Sequence, residues 1–357
     1  MSERIKYLDG LRGLAILLVI PFHAYVRWPE IVPYSNKYAD ISLFKFGWLG
    51  VNLFFLISGF VILMTLEKCT GIKEFIYRRW LRLFPAMLIC SLLIYFTAGF
   101  FYERPAGVPE SITNLLPGLL FIEPKFLIAL GISKGLIEGA FWSLYVECKF
   151  YIFAAIIYYW LGRNWLLIFL LVAYAIAVFF QMVNIYYPNH LISLVSLGFS
   201  KVLSFIHFGW FAAGAMFYIF LKTKENKWFY YGFFSSIVCS AFMDEYDAEF
   251  DWMVPVAALA VSTVFAFAII SQKLQLVLNN RFFQIFGFMS YPLYLIHENM
   301  MISMIVKIGR HNHFGVPEYL YPLPAIAVLS FIAYVIASYG EKIVKNRIIY
   351  PLVAVLK

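Results

Sequence analysis

The fold class is decided by residues 7–26, which read YLDGLRGLAILLVIPFHAYV. A helix needs about 20 apolar residues to cross the roughly 30 Å hydrocarbon core of a bilayer, and this stretch carries only two charged side chains. Apolar runs of this kind fall near residues 9–28, 46–66, 82–102, 141–161, 164–182, 196–221, 228–243, 252–271, 282–306 and 320–340. The sequence therefore predicts an all-α polytopic membrane helix bundle of about ten transmembrane helices.

The composition agrees with a membrane protein and excludes a water-soluble one. Of the 357 residues, 63% are hydrophobic and only 13% are charged, whereas soluble domains average about 25% charged residues. The net charge of +8 is spread over short segments between apolar runs, so we expect its partners to be membrane lipids or an anionic cosubstrate and not nucleic acid. The four cysteines are widely spaced, and we expect no metal site.

The distribution of Lys and Arg predicts that both termini are cytoplasmic. Cytoplasmic segments of membrane proteins are enriched in basic residues. With the N-terminus inside, the basic connection at residues 67–81 falls inside, and the acidic cluster at residues 244–251 falls outside. We expect residues 1–357 to form a single transmembrane domain, without a cleaved signal peptide.

Two ionisable side chains share one face of the first predicted helix. Arg12 and His23 are eleven residues apart, which places them on the same side with about 16 Å of rise between them. Asp9 lies three residues before Arg12 and can pair with it. A neutral imidazole beside Pro21 can act as a general base toward a hydroxyl. The alternative is a packing histidine bonded to a backbone carbonyl, with Asp9 and Arg12 as an interfacial ion pair.

A basic cluster opens the third predicted span, where residues 75–85 read FIYRRWLRLFP. On a helix, Arg78, Arg79 and Arg82 fall within an arc of about 100°. Guanidinium groups in this arrangement bind phosphates through bidentate hydrogen bonds. The alternative is that they anchor the helix at the cytoplasmic membrane surface.

Two other predicted spans carry polar side chains, which are costly inside a membrane. Residues 141–151, FWSLYVECKFY, place Glu147 within the fourth span, after Trp142. Residues 286–300 read FGFMSYPLYLIHENM, and their polar side chains include Ser290, Tyr291, Tyr294, His297 and Glu298. The proline within this segment is typical of a helix that lines a cavity. Hydrogen bonding between helices is the structural alternative for both segments.

Together these segments resemble the acyltransferase-3 family of multispan membrane acyltransferases. Arg12 and His23 match the family's signature of Arg, ten residues, His, and Arg78, Arg79 and Arg82 match its basic motif. Residues 47–62, GWLGVNLFFLISGFVI, are similar to its glycine-rich second helix, although Asn52 stands where many members have Asp. WSLYVECKFY and SYPLYLIHE are similar to two later segments of the family.

The resemblance implies transfer of an acyl group, usually acetyl, from cytoplasmic acyl-CoA to a hydroxyl group. The usual acceptors are carbohydrates or lipid-linked glycans of the cell envelope, such as O-antigen or exopolysaccharide, and the location is the bacterial inner membrane. Some members carry a fused periplasmic esterase-like domain, whereas this chain resembles the stand-alone form.

The resemblance also implies roles for individual residues. His23 is the catalytic base or forms an acyl-histidine, assisted by Arg12 and Glu147. The coenzyme A phosphates are held by Arg78, Arg79 and Arg82. The side chains expected to line the substrate cavity are Asp9, Ser58, Trp142, Ser290, Tyr294, His297 and Glu298.

The main alternative function is a proton-coupled secondary transporter or a glycan-export protein, because buried His, Glu and Arg also form proton relays. Such proteins are often built from internal repeats, and the sequence shows none. A lipid-remodelling acyltransferase is disfavoured because no histidine is followed by the pattern of four residues and Asp. Metalloprotease and Gly-x-Ser-x-Gly hydrolase signatures are also absent, since Met301 occupies the position of the second histidine after His297.

Overall fold

The computed structural model describes residues 5–242, 251–311 and 315–351, and every regular element within these ranges is helical. The α-helices are α1 (Lys6–Tyr25), α2 (Ser42–Lys45), α3 (Gly50–Leu66), α4 (Ile72–Thr97), α5 (Leu116–Leu120), α6 (Pro124–Ala129), α7 (Trp142–Leu161), α8 (Arg163–Tyr186), α9 (His190–Leu197), α10 (Phe208–Thr223), α11 (Asn226–Ala241), α12 (Met253–Ile270), α13 (Gln272–Leu278), α14 (Arg281–Arg310), α15 (Pro322–Val335) and α16 (Glu341–Val344). Single 3₁₀ or π-helical turns extend several of them.

Eight helical stretches of the described chain are long and apolar enough to cross a membrane. They are Lys6–Tyr25, Gly47–Leu66, Ile72–Thr97, Gly139–Leu161, Arg163–Tyr186, Phe205–Thr223, Met253–Ile270 and Glu318–Ile349. The all-α membrane architecture is thus confirmed. A total of ten spans and the cytoplasmic termini stay predictions, and most of the acidic cluster lies outside the described residues.

The other two predicted spans are also helical. Helix α11 has 16 residues, which is shorter than a typical membrane crossing. Helix α14 has 30 residues, corresponding to about 45 Å of length, but polar side chains from Ser290 to Asn299 lower its hydropathy. This polarity is the reason that α14 is the helix of most interest for a functional site.

Two predicted boundaries differ from the structure. The basic connection expected at residues 67–81 is already helical from Ile72, so all three arginines of the basic cluster lie on α4. The span expected at 196–221 is interrupted, because Ser204 has a left-handed backbone conformation with φ of 61°. A new helical turn therefore begins at Phe205.

The chain divides into two compact units. The first contains Met1–Leu11, Val51–Arg78 and Val146–Asn279, and the second contains Arg12–Gly50, Arg79–Tyr145 and Asn280–Lys357. The single transmembrane domain stays a prediction.

In the first unit, α3 and α10 approach each other closely at two glycines. A Cβ atom on Gly59 would overlap the backbone of Phe211, and one on Gly214 would overlap the carbonyl oxygen of Leu56. In a membrane the hydrophobic effect does not drive helices together, so helix association depends on close packing. Small residues at a helix crossing allow the two backbones to approach closely. Gly59 belongs to the glycine-rich segment that resembles the acyltransferase-3 family, so its role here is packing.

Replacing Gly59 with valine is expected to destabilise the protein by about 3 kcal/mol, because the new side chain must displace the Phe211 backbone. Thermal unfolding in detergent measures the effect. Gly71→Ala is the matched control, since no atom lies within 4 Å of a Cβ atom at that position. Equal unfolding midpoints for Gly59→Val and wild type would contradict the tight crossing.

In the second unit, the connection after α1 folds back over the end of that helix. The Tyr34 hydroxyl donates to the carbonyl oxygen of Ala24, and the Tyr25 hydroxyl donates to the carbonyl of Tyr319 at 2.7 Å. The Tyr25 ring stacks on Phe44 with 4.6 Å between centroids. These contacts fix the last turn of α1, which carries His23, and the segment that carries Trp28.

Candidate active site

His23 lies in the last turn of α1, two residues after Pro21. Its Nδ1 atom is 3.0 Å from the carbonyl oxygen of Val19, one turn earlier, and 13% of its side chain is exposed. The carbonyl contact expected for a packing histidine is therefore present. It engages only one of the two ring nitrogens.

The second histidine, His297 of α14, lies directly against His23. The Nε2 atom of His297 is 3.2 Å from Nδ1 of His23, and the two rings are nearly perpendicular, with centroids 4.6 Å apart. His297 is fully buried. The structure thus brings together two predicted site residues that are 274 positions apart in the sequence.

The partners of the two rings determine which nitrogens carry hydrogen. The Nδ1 atom of His297 is 2.8 Å from the carbonyl oxygen of Tyr294, which can only accept. In a neutral imidazole the other nitrogen is then an acceptor, so Nε2 of His297 accepts from His23. His23 therefore carries its hydrogen on Nδ1, shared between Val19 and His297. Its Nε2 atom keeps the lone pair and is the basic nitrogen of the pair.

A carboxylate faces this basic nitrogen. The Oε1 atom of Glu298 is 3.6 Å from Nε2 of His23 and accepts a hydrogen bond of 3.1 Å from the indole of Trp28. Only 5% of the Glu298 side chain is exposed. A buried carboxylate beside Nε2 stabilises the positive charge that the imidazole acquires when it takes a proton.

The second oxygen of Glu298, Oε2, is buried and accepts no hydrogen bond from an N–H group or hydroxyl in the described part of the chain. The carboxyl of Glu138 lies within hydrogen-bonding reach of Glu298, and burial together with that neighbouring carboxyl raises the pKa of Glu138 well above its usual range. Two ionised carboxylates this close repel each other. The raised pKa of Glu138 favours its protonated form, which can donate a hydrogen bond to the Glu298 carboxylate.

Glu138 is held in place by α14 and by the long connection before α7. Its Oε1 atom accepts a hydrogen bond of 2.9 Å from the side chain of Asn299. The Asn299 amide also donates to the carbonyl of Ile137 at 3.0 Å, and Arg104 donates to that same carbonyl. The backbone of Ala106 donates to Asn299 at 3.0 Å. Asn299 thereby holds two parts of this connection, at Ala106 and at Ile137–Glu138, against α14.

The remaining predicted residues of the second unit lie near this pair or along the same helices. The Tyr294 hydroxyl is 2.8 Å from the Ser143 hydroxyl, and its ring centroid is 5.3 Å from that of His297. Ser290 donates to the carbonyl of Gly287 at 2.9 Å within α14, which is a local helical contact. Trp142 is the first residue of α7 and is half-buried.

Arg12 lies on α1 with His23, but about 16 Å of helical rise separates them. This separation is too large for a hydrogen bond between the two side chains. Any assistance that Arg12 gives to His23 is therefore indirect, and its catalytic role stays a prediction.

In the first unit, Ser58 of α3 donates a hydrogen bond to Glu147 of α7. The structure thus supplies the partner that a carboxylate inside a span requires. Asp9 is also in this unit and is buried, with 5% exposed. The assignment of Glu147 to catalysis, and of Ser58 and Asp9 to a substrate cavity, stays a prediction.

The three arginines of the basic cluster have different surroundings. Arg78 is exposed, and its Nη2 atom is 2.6 Å from Glu74, one turn earlier on α4. Arg82 lies 5.8 Å from the ring centroid of Tyr291 on α14. Arg79 is half-buried. Because Glu74 already neutralises Arg78, an anionic ligand at Arg78 would have to compete with that carboxylate.

Three residues of the site were missed by sequence reasoning: Trp28, Glu138 and Asn299. Asn299 follows Glu298 on an apolar helix, so the rule that polar groups inside membrane helices are functional candidates applies to it as well. Trp28 and Glu138 lie in connections, where polar and aromatic residues are common, and no local signal distinguishes them. Across the described ranges, no three His, Cys, Asp or Glu side chains are grouped to hold a metal ion.

A comparison with known protein families identifies the family of this chain. A family model described as an acyltransferase domain, acyltransferase-3, matches residues 5–340. The chain belongs to the acyltransferase-3 family. This match confirms the resemblance drawn from the arginine, histidine and glycine motifs. The matched range, residues 5–340, includes every helix that contributes to the site.

Several acyltransferase-3 relatives are similar over part of this chain. Peptidoglycan O-acetyltransferase OatA of Listeria monocytogenes is 26% identical over 166 residues, which is 42% of this chain and 23% of the relative. O-acetyltransferase OatA of Staphylococcus aureus is 28% identical over 213 residues, which is 56% of this chain and 30% of the relative.

A putative acetyltransferase, ORF330 of Acidianus two-tailed virus, is 26% identical over 148 residues, which is 42% of this chain and 39% of the relative. The matched region therefore spans well under half the length of each of these relatives. No solved structure matches the chain significantly.

Proposed function

We propose that this chain is a membrane-bound O-acetyltransferase that moves an acetyl group from cytoplasmic acetyl-CoA to a hydroxyl of a cell-envelope glycan. The observation that carries the proposal is the 3.6 Å separation of His23 Nε2 and Glu298 Oε1 in a chain of the acyltransferase-3 family. The relatives named as O-acetyltransferases, one of them acting on peptidoglycan, support the acetyl group and the glycan. The proposed location is the bacterial inner membrane.

The proposed chemistry is general base catalysis by His23. Its Nε2 atom takes the proton of the acceptor hydroxyl while the acceptor oxygen bonds to the thioester carbonyl carbon. The carbon–sulfur bond then breaks, and the protonated imidazole returns the proton to the leaving thiolate, so that the base is regenerated. His297 keeps the other ring nitrogen occupied, and Glu298 stabilises the imidazolium. An acyl-histidine route would use the same lone pair on Nε2.

The basic end of α4 is proposed to bind the donor. Arg79 and Arg82 are assigned to the phosphates of coenzyme A, through charge-assisted hydrogen bonds. Arg78 is assigned a smaller share, because Glu74 holds its guanidinium at 2.6 Å and phosphate must compete with that carboxylate.

Arg79→Ala is expected to weaken coenzyme A binding about tenfold or more, because a hydrogen bond to a charged group contributes about 1.5–3 kcal/mol. Isothermal titration calorimetry on the purified protein measures the affinity. Lys73→Ala, which removes an exposed charge from the first turn of the same helix, is the matched control. Unchanged affinity in Arg79→Ala would make the cluster a membrane anchor and nothing more.

The function itself is tested in cells and with purified protein. Envelope glycans from cells with and without the gene are compared by mass spectrometry, and one polymer is expected to differ by one acetyl group per modified sugar. Purified protein is expected to release free thiol from acetyl-CoA when that glycan is supplied. Identical glycans and no thiol release would overturn the proposal.

A further inference from the structure

A groove of about 420 Å³ lies in the second unit, between the first turns of α14 and the helical segment that runs from the end of α15 to α16. Its lining residues are Arg281, Gln284, Ile285, Phe288, Tyr334, Ser338, Tyr339 and Lys342. None of these belongs to the candidate active site or to the basic cluster of α4. The proposed reaction therefore assigns no role to this groove.

The groove changes in character along its length. Phe288 and Tyr334 contact each other across the groove. From that contact, Gln284 and then Arg281 follow toward the start of α14, and Ser338 and then Lys342 follow along the chain after α15. The distance from Arg281 to Phe288 along α14 is about 10 Å, and that from Lys342 to Tyr334 is about 12 Å, at 1.5 Å per helical residue. Both sides of the groove thus run from cation through polar group to aromatic ring in the same direction.

Among the described residues, no acidic side chain balances the charge at the cationic end. The lining contains two basic residues and no acidic one. Within the described part of the chain, neither Arg281 nor Lys342 forms an ion pair, whereas nearby Lys345 pairs with Glu341 at 3.6 Å. Two unneutralised cations on facing helices favour a phosphate group between them.

The other end of the groove faces outward from the helices. Phe288 is 40% exposed and Tyr334 is 44% exposed, and their rings contact each other with centroids 6.0 Å apart. In a membrane protein, exposed aromatic surface at such a position meets lipid chains and the interface. A ligand that fits must therefore join a phosphate to an apolar tail.

We propose that this groove binds an anionic phospholipid, with its phosphate between Arg281 and Lys342 and its acyl chains along Phe288 and Tyr334. Gln284 and Ser338 lie where the ester groups of the lipid would be and can donate hydrogen bonds to them. A zwitterionic lipid would place its own cation at the already cationic end of the groove. The net negative headgroup is for this reason the better match.

The test measures lipid retention and stability on the purified full-length chain. Native mass spectrometry counts bound phosphatidylglycerol, and thermal unfolding is followed with added phosphatidylglycerol or phosphatidylcholine. The wild type is expected to retain phosphatidylglycerol and to be stabilised by it more than by phosphatidylcholine. Arg281→Gln combined with Lys342→Gln should weaken phosphatidylglycerol binding about thirtyfold, which corresponds to about 1 kcal/mol for each basic residue.

The matched control is Lys68→Gln combined with Lys73→Gln, which removes two exposed charges from the first unit. It should bind phosphatidylglycerol as the wild type does. Folding of the groove variant is checked by its unfolding midpoint in phosphatidylcholine, which should match the wild type because both side chains are exposed and a cation at the N-terminus of α14 does not stabilise that helix.

Three results would overturn the proposal: equal loss in the control, equal stabilisation by both lipids, or full stabilisation by inorganic phosphate or glycerophosphoglycerol without acyl chains. None of these measurements depends on acyl transfer, so they test the lipid site independently of the proposed function.

Discussion

His23→Ala is expected to abolish acetyl transfer, with kcat/KM falling by about three orders of magnitude. Loss of a general base costs about 10²- to 10⁴-fold, and the structure offers no substitute at the same place. His297 is close, and its Nε2 atom loses its donor in the variant, but this atom lies beside the former position of His23 Nδ1, 3.2 Å away, and not where Nε2 of His23 faces Glu298. Transfer is measured as thiol released from acetyl-CoA in the presence of the acceptor.

His311→Ala is the matched control for this substitution. His311 is exposed just after α14, and its Nδ1 atom contacts the carbonyl of Lys307 at 2.8 Å, so activity should be unchanged. Coenzyme A affinity and the unfolding midpoint of His23→Ala should also stay close to those of the wild type. An active His23→Ala protein would remove His23 from the chemistry and leave it as a packing residue.

Glu298→Gln is expected to lower kcat/KM by about 10²- to 10³-fold, equivalent to about 3–4 kcal/mol of transition-state stabilisation. The amide keeps the shape and can still accept from the indole of Trp28. It removes the negative charge that faces His23 Nε2 at 3.6 Å. Folding should be retained, since no large group is added or removed.

Glu318→Gln is the matched control, because it removes a carboxylate from the same unit at an exposed ion pair with Lys37, 2.8 Å away. Such surface pairs contribute about 0–1 kcal/mol, and activity should be unaffected.

Glu138→Gln tests whether Glu138 acts through its hydrogen bond to Glu298 or through a negative charge. Its amide can replace the proton that Glu138 donates to Glu298, so activity should fall far less than in Glu298→Gln. Equal losses in both variants would show that Glu138 takes part in the reaction as an ionised group.

The candidate site is assembled from segments that are distant in the chain. His23 comes from the end of α1 and Trp28 from the connection after it, while Glu138 precedes α7 and Glu298 lies in α14. Each segment is anchored by backbone contacts, such as Tyr34 to Ala24 and Asn299 to Ile137. Rigid support of this kind holds reacting groups in a productive geometry.

Much of the fold follows from the chain alone. An apolar run of about 20 residues has few alternatives to a membrane helix, because every backbone polar group in hydrocarbon must be satisfied within the segment. The eight apolar spans and the unusual polarity of α14 are therefore visible in the sequence. The arginine, histidine and glycine motifs were also sufficient to indicate the family, which the match over residues 5–340 confirms.

The pairing of these elements was decided only by tertiary structure. The sequence predicts that His23, His297 and Glu298 are polar side chains inside membrane helices. No local sequence feature indicates that the two imidazoles lie 3.2 Å apart. The identity of the basic nitrogen depends on the carbonyls that the rings meet, and the proton on Glu138 depends on the carboxyl beside it. Such properties arise from contacts between distant segments. The chain thus determines by itself that its helices enter a membrane and which of them carry polar groups, and packing alone decides which of those groups meet.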